Sequence, residues 1–128
     1  MKILVGYDGS ESAKEALRVA RKHALEFGAT VDVVTSMEKG NNADEENIAL
    51  LGLEWAKTEF DERGITCRTH LLIRGVSPGE DLIEFATDNK IDEIIVGIKK
   101  HSKVGKLLMG STAQYVILEA PCPVVSVK

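Results

Sequence analysis

The chain predicts an α/β fold: a single three-layer α/β/α domain on a five-stranded parallel sheet. Three observations carry this. Short continuous apolar runs alternate with longer stretches of helical periodicity, the unit occurs four times, and the chain closes on a fifth apolar run. At 128 residues there is room for one domain with a substantial core and not for two.

Ile3-Leu4-Val5 is a run that suits a strand covered on both faces. Ser10 is placed to cap a first helix, in which Ala13, Ala16, Leu17, Ala20 and Ala24 recur at helical spacing before Gly28 ends it. Val31 to Val34 forms a second strand, and residues 37–43 a polar loop. A second helix follows, with Ile48, Leu51, Trp55 and Ala56 expected on its buried face and Gly64 as its stop. Thr66 to Ile73 alternates polar and apolar residues, with Arg68 and His70 on one side, the pattern of a half-exposed edge strand. Ser77-Pro78-Gly79-Glu80 reads as a helix start, an N-cap serine with glutamate three residues on. Leu82, Ile83 and Ala86 supply that helix's buried side. Ile94-Ile95-Val96 is the fourth strand, residues 112–119 the fourth helix, and Val124 to Val127 the last strand.

Composition narrows the function. The net charge of −4 argues against general nucleic-acid binding, and no apolar run approaches the ~20 residues of a membrane span. The first residues do not form a signal peptide, so a cytoplasmic protein is expected. Cys67 and Cys122 have no metal spacing and read as buried free thiols, and the three histidines are scattered. No metal site is expected.

The segment from Gly97 to Thr112 is the most informative. A glycine closes a strand, and Gly110-Ser111-Thr112 opens a helix. Gly110 lets a ligand approach the backbone, and free N–H groups at a helix start attract anions. No acidic residue lies between Glu93 and Glu119, while Lys99, Lys100, His101, Lys103 and Lys106 cluster there.

On these residues the chain resembles the universal stress proteins, of the adenine-nucleotide-binding α/β superfamily. Members that bind ATP carry Gly-x-x-Gly-x9-Gly-Ser/Thr. Gly97, Gly110 and Ser111 match, and Lys100 stands where the second glycine would be. The resemblance runs from Ile3 to the terminal Val124-Val125-Ser126-Val127. It implies a Rossmann-like sheet of strand order 3-2-1-4-5, with the ligand crevice at the reversal between strands one and four. Asp8 and Gly97 would meet there. Asp8 is either a turn residue helping to cap the first helix or a contact to nucleotide or its Mg²⁺. Gly110, Ser111 and Thr112 would meet phosphates, Gly97 ribose or phosphates, and Ser36 would contact adenine through its backbone. Lys100 either crowds the phosphate loop or supplies it with a charge.

The implied function is a regulator that binds ATP or a related adenine nucleotide and acts on an unidentified protein partner. The resemblance also implies a homodimer through the terminal strand. The alternative is a nucleotide-free dimeric interaction module of the same fold; a slow hydrolase is a third reading, for which no general base is recognisable. No P-loop follows strand one, and Ile73-Arg74-Gly75 stands where a response regulator needs its phosphorylatable aspartate. Lys100-His101-Ser102-Lys103 matches a nucleotidyltransferase signature by chance, since no histidine precedes His23. No Ser-His-Asp or Cys-His unit stands out as catalytic.

Overall fold

The computed structural model describes residues 1–39, 42–101 and 107–128, with residues 99–101 and 107 by their backbone only. Its elements run β1 (Lys2–Gly6), α1 (Glu11–Phe27), β2 (Thr30–Ser36), α2 (Ala43–Asp61), β3 (Cys67–Leu72), α3 (Pro78–Asp88), β4 (Glu93–Gly97), β5 (Lys99–His101), β6 (Leu107–Met109), α4 (Ser111–Glu119) and β7 (Val124–Val127). The main sheet is parallel, in the order β3-β2-β1-β4-β7. With β7 as the fifth strand of the sheet, this is the expected 3-2-1-4-5 order, and its reversal lies between β1 and β4. β5 and β6 form a small antiparallel hairpin within the stretch expected to be a loop.

The strand runs are buried on both faces because each face carries its own helices. Ile3, Val5, Val31 and Val33 pack with α1 and α2, whereas Leu4, Val34, Ile94 and Val96 pack with α3 and α4. Local signals set the helix ends. Ser10 Oγ accepts the Ala13 N–H, Asn42 the Glu45 N–H and Ser77 the Glu80 N–H, while Gly28 adopts the left-handed turn (φ 65°) that ends α1.

One expectation is overturned in α2. Its buried residues are Leu53, Ala56 and Phe60, whereas Ile48, Leu51 and Trp55 are exposed (69%, 64% and 43%). The helix is apolar around much of its circumference, so periodicity offered two faces. The ring of Phe60, fully buried in the core cluster that α1 and the sheet share, fixes which one turns inward. Cys122 is half-buried rather than buried; Cys67 is buried, and both are free.

Candidate functional site

A cleft of about 360 Å³ opens at the carboxyl ends of β1 and β4. Its floor is Gly6 at the end of β1 with Tyr7 and Asp8 after it, Val34 and Ser36 at the end of β2, and Val96 and Gly97 of β4 with Ile98 after it. The N-cap Ser10 with Ser12 and Ala13 of α1, Pro78 and Leu82 of α3, and residues 110–113 at the start of α4 form the walls. Of the sequence-derived site residues, Asp8, Ser36, Gly97, Gly110, Ser111 and Thr112 all border this cleft. Lys100 pairs with Leu108 in the β5–β6 hairpin, and its side chain lies outside the described residues, as do Lys103 and Lys106.

The start of α4 differs from the other three helix starts. Its N-cap is Gly110, which supplies no side-chain hydrogen bond, so the first-turn N–H donors face the cleft uncapped. Gly110 has ordinary extended geometry (φ −66°, ψ 154°), and a Cβ built on it would meet nothing within 4 Å. Its lack of a side chain therefore serves open space rather than packing. Gly97 is the reverse. A Cβ there would lie 2.6 Å from the Ser12 carbonyl carbon and Oγ and 2.7 Å from its carbonyl oxygen, so this glycine lets β4 pass against α1.

Asp8 is the one carboxylate among the described lining residues. Its Oδ1 accepts the Ser10 N–H at 3.0 Å, the turn role read from the sequence, and the residue remains exposed at the rim. Thr35 Oγ1 donates to the Tyr7 carbonyl at 2.7 Å and pins the end of β1 to β2. Burial raises the Tyr7 hydroxyl above its ordinary pKa, partly opposed by Lys14. Among the described residues no group of three or more His, Cys, Asp or Glu side chains could hold a metal ion.

Strand alternation explains how Ser36 is presented. Thr30 N–H donates to Met1 and Val34 carbonyl accepts from Tyr7, so the even-numbered residues of β2 address β1. Ser36 continues that series past the end of β1 at Gly6, which turns its N–H and carbonyl onto the cleft. Its hydroxyl donates to Asp81 Oδ2, and Arg74 Nε donates to Asp81 Oδ1 at 2.7 Å. That bond holds the Arg74 guanidinium above its ordinary pKa.

Leu82 and Val96, expected only as core, also line the cleft, and Asp81, absent from the sequence-derived site residues, holds Ser36. The signal for Asp81 was present: it falls on the helical stripe of Pro78, Leu82 and Phe85, where a charge has to find a buried partner.

The universal stress protein family model matches residues 1–128. A universal stress protein of Thermus aquaticus is 36% identical over 135 residues, spanning 98% of this chain and 97% of its own length. A universal stress protein structure from Archaeoglobus fulgidus superposes with a TM-score of 0.91 at 37% identity, covering 100% of this chain and 98% of that one. A second from the same organism, in complex with dAMP, gives 0.84 at 33% identity, covering 100% and 98%.

Proposed function

The chain belongs to the universal stress protein family, and from that premise we propose that its cleft binds an adenine nucleotide, ATP or a related one, as a regulatory ligand. The observation that carries the proposal is the uncapped α4 start facing a cleft at the strand reversal. Two strand spacings, roughly 10 Å, separate the β2 side of the cleft from the β4 side. A ligand with recognised groups at both ends of a sugar suits that span. Ser111 and Thr112 would donate to phosphate, and Gly97 would lie beside the ribose. Ser36 would meet the base through its main chain, against the apolar Val34, Pro78 and Leu82. Lys100 would add positive charge. Asp8, with Oδ1 taken by Ser10, would use Oδ2 toward Mg²⁺ carried by ATP. The Archaeoglobus relative in complex with dAMP supports the ligand class.

The test is calorimetric titration of ATP with Mg²⁺, and of AMP, into wild type and Gly110→Asp. Saturable binding by wild type, abolished in the variant, is expected. A folded wild type that binds neither nucleotide refutes the proposal and leaves the interaction module in its place.

The same reading includes a homodimer. β7 is the outer strand of the sheet, and the exposed Ile117 and Leu118 of α4 lie on the segment that leads into it. The Pro123 carbonyl accepts from Ile94 of β4 and the Val127 carbonyl from Ile98 just after it, so the N–H of Ser126 points to the open edge. Nucleotide bound between Gly97 and Ser111 would change the surface that the dimer offers a regulatory partner.

A further inference from the structure

We infer that Asp81 and Arg74 fix the polarity of the Ser36 hydroxyl and so make the cleft prefer a 6-amino purine over a 6-oxo purine. The inference rests on the adenine-nucleotide reading above. Asp81 is fully buried, in the first turns of α3. Arg74 has donors only and occupies Asp81 Oδ1. The remaining oxygen, Oδ2, receives the single Ser36 hydroxyl proton. A hydroxyl whose proton is committed can offer a ligand nothing but lone pairs. Ser36 borders the cleft at its β2 end, where the apolar Val34, Pro78 and Leu82 suit a base. There the hydroxyl oxygen accepts from an exocyclic amino group. A 6-oxo group would set acceptor against acceptor in a partly dehydrated place, where an unmade hydrogen bond weighs most.

The relay makes an unusual substitution informative. In Asp81→Asn the Arg74 guanidinium, lacking acceptors, retains the amide oxygen. The amide NH₂ then faces Ser36 and donates to it. That releases the serine proton toward the cleft, where it can satisfy a 6-oxo group. Asp81 and Arg74 are therefore positioning residues that act through Ser36.

Calorimetry with AMP and IMP, which differ at purine position 6 and in the protonation of N1, tests this. The readout is the ratio of their affinities in wild type, Asp81→Asn and Ser36→Ala, each checked for folding by thermal denaturation. The preference for AMP is expected to fall by roughly fivefold or more in Asp81→Asn, chiefly through tighter IMP binding, and by a smaller factor in Ser36→Ala. A purely structural role for Asp81 would weaken both nucleotides together and leave the ratio unchanged, which would overturn the inference. If Asp81→Asn does not fold, Ser36→Ala decides alone: an unchanged ratio there is equally fatal. A folded wild type that binds neither AMP nor IMP is a separate result, because it defeats the nucleotide reading itself.

Discussion

Two of the glycines that border the cleft, Gly97 and Gly110, invite opposite substitutions. In Gly97→Ala the new Cβ would sit 2.6 Å from Ser12 carbonyl carbon and 2.7 Å from its oxygen, on the backbone of α1. Carbon contacts settle near ~3.5 Å, so β4 and α1 would have to part by about 0.9 Å. Overpacking of this kind costs about 1–3 kcal/mol. For a domain of this length that corresponds to a melting temperature lower by roughly 4–15 °C. At Gly110 an added Cβ meets nothing within 4 Å, and the backbone is already in the extended conformation of an N-cap. Aspartate is a favoured N-cap and complements the helix dipole, so Gly110→Asp should leave stability unchanged or raise it by up to about 1 kcal/mol. Yet the same carboxylate would stand where phosphate is proposed to bind. The variant should thus be at least as stable as wild type and unable to bind nucleotide. Thermal and urea unfolding of both variants gives the comparison. Gly97→Ala within about 0.5 kcal/mol of wild type, or Gly110→Asp losing more than 1 kcal/mol, would refute the packing argument.

Other outcomes follow from the same structure. Phe60→Ala should destabilise by about 3–5 kcal/mol, whereas Leu51→Lys on the exposed side of α2 should stay within about 0.5 kcal/mol; urea unfolding separates them. Burial pushes the Cys67 thiol up to about 12 from 9.0, so neutral thiol is favoured in the folded state. Its stabilising contribution is complete below pH 9 and is lost as pH rises toward 12, because the folded state then holds the extra proton. Cys67→Ala should therefore lose less stability than wild type over that range in unfolding measured at successive pH values. A thiol reagent at neutral pH should label the half-buried Cys122 well before Cys67. Ser126→Pro removes an edge-facing N–H and should convert a dimer to a folded monomer in sedimentation analysis; a monomeric wild type would count against the proposed dimer.

Much of this architecture was legible because strand and helix signals rarely competed. Ile3-Leu4-Val5 and Ile94-Ile95-Val96 admit few readings other than doubly covered strands, and Ser10, Gly28 and Ser77 mark helix ends through local hydrogen bonding or backbone geometry. What failed was the choice of face on α2. Ile48, Leu51 and Trp55 and the pair Leu53 and Phe60 both satisfy helical spacing, and tertiary packing decides between them. The strand order came from resemblance, since alternation alone leaves it open. At the site, a glycine beside a helix start was visible in sequence, but its purpose was not. Gly97 and Gly110 look alike on the page, and the approach of Ser12 separates packing from ligand space. The Arg74–Asp81–Ser36 relay was hidden because Ser36 lies far in sequence from Arg74 and Asp81 and meets Asp81 through the α3–β2 contact.

The most direct measurement of the central claim is a titration of ¹⁵N-labelled protein with AMP, following the backbone amides. Saturable shifts are expected at Ser111, Thr112 and Ser36, with Gly97 also moving. The amides from Gly64 to Cys67, at the opposite end of the sheet, should stay still. Shifts confined to that opposite end, or no shifts at millimolar AMP, would contradict the account.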